Sequence, residues 1–284
     1  ACTVSGNGLV ARFDRKQGVL AALEAAGRPL IIGAVRPEFW RAPTDNDRAN
    51  GFLNRLAVWR KAGAEATCEG FKVTAAPEGT VTVATRLTLP KGKDNAPSAM
   101  ALTYRFGADG NVALDMEATL AQGLPELPRV GIAFRVPKTL DAVAWFGRGP
   151  HENMADRIES AYVGHYAMTV AKLNDSRYVR NQELGHRMDT RRLTLEGDGR
   201  RLAIHGVTPF GFNVLPWTAE DLTNAGSTEP QHPYELPVRD FLTVTLDAVQ
   251  MGVGGINTWG AQPEPRYRPK SGQTYRLSLV LTDR

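Results

Sequence analysis

The strongest constraint on this chain is a period of two. In Val112-Ala113-Leu114-Asp115-Met116-Glu117-Ala118-Thr119-Leu120 the larger apolar side chains take one parity and the acids the other, the pattern of a strand with one buried face. The alternation recurs at Val81, Val83, Thr85, Leu87 and Leu89, and at Tyr275, Leu277, Leu279 and Leu281. Shorter apolar runs at 102–106, 130–136, 142–146, 193–195, 202–204 and 241–246 read as further strands. Turn chemistry separates them: 28 Gly and 18 Pro are spread over the whole length, among them Asp109-Gly110, Gly197-Asp198-Gly199 and Ser271-Gly272. The runs flanking Gly197-Asp198-Gly199 predict a hairpin. Helical pattern is confined to Phe52, Leu56 and Trp59, and to a short stretch that Thr218 can cap. Residues 18–26 fit a helix or a strand pair. Without strand–helix alternation, repeat or linker, the expectation is all-β: one large antiparallel domain over residues 1–284, with one or two short helices.

Composition narrows the function classes. Lys and Arg number 34 against 30 Asp and Glu, a net charge of +4, with the basic residues scattered rather than patched; this gives no footprint for nucleic acid. Two cysteines, Cys2 and Cys68, exclude a disulfide framework and a zinc site built on Cys pairs. No apolar run approaches the roughly 18–20 residues that span a membrane. Gly252-Val253-Gly254-Gly255 lacks the spacing of a dinucleotide loop and the Lys-Ser/Thr of a P-loop, and neither a nucleophile elbow nor a His-Glu-x-x-His pair is present. No metal site or cofactor is expected on this chain.

Four polar, aromatic and glycine-rich segments exceed what a strand framework requires. They are Phe39-Trp40-Arg41-Ala42-Pro43-Thr44-Asp45-Asn46-Asp47; Phe146-Gly147-Arg148-Gly149-Pro150-His151-Glu152-Asn153 continuing to Asp156-Arg157; Tyr178-Val179-Arg180-Asn181-Gln182-Glu183-Leu184-Gly185-His186-Arg187; and Met251-Gly252-Val253-Gly254-Gly255-Ile256-Asn257-Thr258-Trp259-Gly260. Read from chemistry alone, Asp45, Asn46 and Asp47 suit a self-capped Asx turn better than a cation site, although their oxygens fall at alternate positions. Asp156 with Arg157 reads as a simple ion pair. Arg180 and Glu183 either brace each other or line a polar concavity. Trp40, Arg41, Trp145 and Phe146 read as packing residues.

In order and spacing these four segments resemble the C-terminal domain of family 2 glycoside hydrolase β-galactosidases, a region that in some bacteria is a separate small chain. The resemblance covers nearly the whole length, and it implies a galactose mutarotase-like β-supersandwich. It also implies that the acid/base and nucleophilic glutamates lie on a (β/α)8 barrel, about 5–5.5 Å apart for a retaining reaction. Such a barrel takes roughly 250 residues of alternating strand and helix, for which this chain has no pattern. The resemblance therefore leaves no catalytic residue here and an isolated chain without hydrolytic activity. It places Trp259 in the sugar site, where an indole face packs on the C–H face of a pyranose. Ile256-Asn257 replaces two aspartates common in the family, so polar contact there falls to Asn257. Arg180 and Glu183 match a loop near the active site. For the full enzyme the resemblance implies Mg and Na, a barrel domain or large subunit as partner, homo-oligomeric assembly and a cytoplasmic location. The start at Ala1 fits a chain cut from a larger hydrolase. Two alternatives stay open: a mutarotase-like epimerase using His151, Glu152, His186 and Glu183 for acid/base opening of a pyranose, and a non-catalytic carbohydrate-binding module.

Overall fold

A computed structural model describes residues 1–175, 178–223, 232–257 and 260–284, and every strand pairing in it is antiparallel. Strands β1 (Cys2–Gly6), β2 (Leu9–Asp14), β3 (Val19–Ala25) and β4 (Arg28–Ile31) form a four-stranded meander. The ambiguous stretch at 18–26 is thus a strand, with Leu20 and Leu23 buried beside Phe13. A second sheet of twelve strands holds β5 (Gly33–Glu38), β6 (Cys68–Ala75), β7 (Val81–Leu89), β8 (Ser98–Phe106), β9 (Val112–Thr119) and β10 (Arg129–Pro137). It continues with β11 (Ala142–Gly149), β12 (Tyr162–Thr169), β13 (Arg187–Gly197), β14 (Arg200–Leu215), β15 (Phe241–Gln250) and β16 (Thr274–Thr282). All the strands read from alternation are present, and β13 and β14 form the expected hairpin across Gly197-Asp198-Gly199.

The large sheet forks along β14. Residues 203–206 of that strand pair with β16, which leads through β9, β8 and β7 to β6. Residues 211–215 pair instead with β15, which leads through β10 to β5. The other edge of β14 pairs with β13 throughout, with register shifts at 187/190 and 190/192 that let the ladder bend. The apolar faces of both arms and of the meander enclose one core, from Phe13 and Tyr104 through Ile132 and Leu246 to Phe212. The larger side chains of β9 point into it on alternate positions, as the sequence pattern demands.

Short helices occupy the connections. Helix α1 (Asp45–Ala49) begins at a capping box in which Thr44 Oγ1 accepts from the Asp47 amide and Asp47 Oδ2 accepts from the Thr44 amide. Helices α2 (Phe52–Arg55) and α3 (Ala57–Arg60) bury Phe52, Leu56 and Trp59, the residues whose spacing marked them. Helix α4 is Val170–Leu173, and α5 (Ala219–Thr223) starts where Thr218 Oγ1 accepts from the Asp221 amide. Trp40 and Arg41 are fully buried, Trp145 likewise, whereas Phe146 is only half-buried and stacks on His165 at 4.5 Å. Phe146 therefore lies on the face of β11 opposite to Val143 and Trp145, outside the core. Among the described residues no helix is long and apolar enough to cross a membrane.

Candidate functional site

Where the arms of the sheet diverge, the strands carry charge inward. The register places Glu38 of β5, Gly131 of β10, Asp247 of β15 and Gly211 of β14 in one row across the sheet. A side chain at Gly131 would meet Asp247 Oδ1 at 2.5 Å, and one at Gly211 would meet His186 Nε2 at 2.6 Å, so both positions must stay bare. Arg129 then bridges two carboxylates, donating to Glu183 Oε1 at 2.8 Å and lying 3.4 Å from Asp247 Oδ2. Glu183 Oε1 also accepts from Asn213 Nδ2 at 3.0 Å and Gln250 Nε2 at 2.8 Å. His186 Nε2 lies 3.2 Å from Asp247 Oδ2 and its Nδ1 3.2 Å from the Asn153 carbonyl. Charges this deep persist only when paired and hydrogen-bonded, and Glu183 meets that condition threefold.

The electrostatics follow from enclosure. Burial pushes the Glu38 carboxyl up to about 7, with Arg129 and the Trp40 amide opposing. Burial pulls the Arg129 guanidinium down, but Asp247, Glu183 and Glu38 together outweigh it and hold Arg129 above its ordinary value.

Around this cluster the four sequence segments meet as loops. Arg180 NH1 pairs with Asp45 Oδ1 at 3.1 Å, and Gln182 Oε1 accepts from the Asp45 amide at 3.3 Å. Asn46 Nδ2 donates to the carbonyls of Val253 (3.1 Å) and Ala261 (2.8 Å). Arg41 and Asp47 form a fully buried pair at 2.5 Å, and Arg41 NH2 donates onward to the Gly252 carbonyl at 3.1 Å. Asn181 Nδ2 reaches the His232 carbonyl at 3.4 Å. Beneath these loops Ala42, Leu184, Leu215, Leu222 and Leu236 make a second small apolar cluster that fixes their height above the sheet. Val179 and Ile256 stand exposed on these segments, and Tyr234 and Val238 on the neighbouring loop that begins at His232.

Several expectations change here. Asp45, Asn46 and Asp47 open a helix instead of a self-capped Asx turn; the Asp45 and Asp47 carboxylates are engaged with Arg180, Arg41 and the Thr44 cap, while Asn46 donates through Nδ2. Arg180 and Glu183 do not brace each other: the first pairs with Asp45 at the surface, the second is sealed with Arg129. Asp156 and Arg157 make no pair; Arg157 lies 3.7 Å from Glu152, and Asp156 accepts from the Val253 and Gly254 amides. His186 is fully buried. Exposed His151 and half-buried Glu152 line a cavity of about 500 Å³ with Lys172, Tyr178 and Arg187. There Glu152 accepts from the Tyr178 hydroxyl and, at 2.8 Å, from the Gly185 amide; burial lowers Arg187 to about 10 against the pull of Glu152. Asn257 Oδ1 accepts from the Ala261 amide at 3.1 Å; Trp259 lies outside the described residues. Glu38, Arg129, Asp247 and Gln250 were not singled out by sequence. The available signal was a charge inside an apolar strand, as Asp247 is after Leu242, Val244 and Leu246.

Among the described residues no group of three or more His, Cys, Asp or Glu converges to hold a metal ion. Residues 5–281 match the sequence profile of the family described as "Beta galactosidase small chain". A β-galactosidase of Priestia megaterium is 33% identical over 281 residues, covering 98% of this chain and 26% of that protein. Another from Vibrio cholerae is 33% identical over 269 residues, covering 90% and 24%. The chain thus spans about a quarter of the length of these curated relatives. In three dimensions it matches a galactose mutarotase related enzyme from Lactobacillus acidophilus with a TM-score of 0.50 at 8% identity, over 100% of this chain and 97% of that one. The forked antiparallel sheet is a galactose mutarotase-like fold, and the chain belongs to the β-galactosidase small-chain family.

Proposed function

We propose that this chain is the C-terminal domain or small subunit of a retaining β-galactosidase, and that all of 1–284 acts as one such unit. It supplies a carbohydrate-binding wall to an active site whose two catalytic glutamates lie on a barrel it does not contain. The observation that carries this reading is the convergence of the four motif segments on one loop face, tied together by Arg180–Asp45, the Asp156 bonds to the Val253 and Gly254 amides, and the Asn46 bond to the Val253 carbonyl. On that face the 251–260 segment offers Asn257 as a polar contact and Trp259 as a platform for the apolar side of a galactosyl ring. Arg180 contributes positive charge at the rim, and buried Glu183 supports the loop from below through Arg129. Exposed Val179, Tyr234, Val238 and Ile256 suit a face that a larger partner domain covers. Mg and Na, if the full enzyme uses them, belong to that remainder, as does homo-oligomeric assembly. In the whole enzyme Trp259→Ala should raise KM for a chromogenic β-galactoside about tenfold, the scale of one lost ring contact. An unchanged KM would remove the platform role.

A second reading keeps this chain as an epimerase. It is favoured by one observation, the cavity that His151 and Glu152 share, and disfavoured by the enclosure of His186 and Glu183. Polarimetry of galactose with the purified chain separates the two: the β-galactosidase reading expects no acceleration of mutarotation.

A further inference from the structure

The segment that precedes Asn257 is built around a residue outside it. Asp156, on the turn after β11, sends its two carboxylate oxygens to two consecutive backbone amides: Oδ1 accepts from Val253 at 3.0 Å and Oδ2 from Gly254 at 2.7 Å. Consecutive amides that converge on one carboxylate form an anion-holding concavity, here filled by a side chain of the same protein. The approach is close enough to fix residue type on the other side. A side chain at Gly252 would lie 2.6 Å from both Cγ and Oδ2 of Asp156, and Gly254 turns at φ +69. The carbonyls of the same stretch face the opposite way and are held separately: Gly252 by Arg41 at 3.1 Å, Val253 by Asn46 at 3.1 Å. Asn46 also takes Ala261 at 2.8 Å, on the far side of the segment. The 253 and 254 amides are thus gripped by one segment and the 252 and 253 carbonyls by another, the Gly252 amide donates to the Tyr267 carbonyl at 2.9 Å, and the exit at Ala261 shares the second grip.

We propose that Asp156 is a positioning residue for the sugar-facing segment, setting the take-off of 252–257 and through it the contact that Asn257 and Trp259 make with a galactosyl ring. This rests on the binding-wall reading above. Neither Asp156 nor Gly252 touches substrate in this account; each acts through the loop.

The test uses Asp156→Asn, Asp156→Ala and Gly252→Ala, with amide hydrogen exchange on the purified chain and steady-state kinetics on the whole enzyme. Asparagine keeps one acceptor and sets an amide donor against the other N–H, while alanine loses both. Exchange of the peptide over 252–257 should therefore accelerate in the order wild type, Asn, Ala, reaching about tenfold or more for Ala, with β14 and β15 peptides unchanged. Gly252→Ala should reproduce the effect from the other side of the contact. In the whole enzyme KM for a β-galactoside should rise in the same order, with kcat changed less, a split that loss of folded protein alone does not produce. Unchanged exchange at 252–257 overturns the proposal. So does accelerated exchange with an unchanged KM in an enzyme whose KM does rise on Trp259→Ala. If Trp259→Ala itself leaves KM unchanged, the binding-wall reading fails and exchange alone decides whether Asp156 sets the segment.

Discussion

Two regions a few residues apart in the fold use charge in opposite ways. In the cluster under the fork, side chain meets side chain: Arg129, Asn213 and Gln250 converge on Glu183 Oε1, and Arg129 also faces Asp247, while Arg129 Nε, Asn213 Oδ1, Asp247 Oδ1 and Gln250 Oε1 are buried without a partner among the described residues. On the loop face the ion pairs Arg180–Asp45 and Arg41–Asp47 stand beside side chains that hold backbone: Asp156 holds amides, while Asn46 and Arg41 hold carbonyls. A side-chain network fixes the identity of its members, because any one removed leaves the others unpaired in low dielectric. A backbone grip fixes the path of a segment and leaves its outward residues free to vary. Asn257 is the exception, since its Oδ1 accepts from the Ala261 amide at 3.1 Å and closes the segment on itself.

That contrast can be broken at graded points. Arg129→Met strands Glu183 and Asp247 together and should destabilise the chain by about 3–5 kcal/mol in equilibrium denaturation. A cost near zero would show that the cluster does not depend on its one arginine. Next in size is Glu38. Its folded pKa of about 7 lies above its unfolded value, so the folded state holds the proton longer, and this carboxyl erodes stability as pH rises from about 4.5 to 7. Glu38→Gln removes the titration while keeping an acceptor for the Trp40 amide. The variant should gain on wild type by up to about 3 kcal/mol at pH 8 and little at pH 4.5; a gain that does not grow with pH contradicts the enclosure of this carboxyl. Asn46→Ala frees two carbonyls on the loop face and should cost only about 1–2 kcal/mol of global stability. The smallest effect is expected at Glu220, whose pair with Arg60 at 2.6 Å is half open to water: Glu220→Gln should shift stability by roughly 0.5 kcal/mol or less.

The regions also differ in how far sequence exposes them. Strands β7, β9 and β16 announce themselves because one face is buried and the other wet, which forces alternation. Strand β12 does so only weakly: it lies at the sheet's free edge, and Tyr166 and Met168 on its inner face are no more than half-buried against the core, so little apolar contrast marks the alternation. Helix α1 looked like a turn because an Asx turn and a capping box favour the same short polar residues, and only the paired bonds of Thr44 and Asp47 separate them. The four motif segments were legible as candidates, yet their partners were not. Asp156 sits beside Arg157 in sequence, which suggests a local pair, while the fold sends it to amides 97 and 98 residues away. Glu183 stands three residues from Arg180 and bonds instead to Arg129, 54 residues distant. Residue type shows that a charge needs a partner; only the register of β5, β10, β15 and β14 shows which one.

The proposed division of labour sets the binding wall in this chain and the catalytic carboxylates elsewhere. Hydrolysis of a chromogenic β-galactoside by the purified chain, alone and then with the barrel-bearing remainder of the enzyme, tests it most directly. The expected result is no turnover above buffer for the chain alone and turnover restored on addition of the remainder. Turnover by the chain alone would contradict the claim.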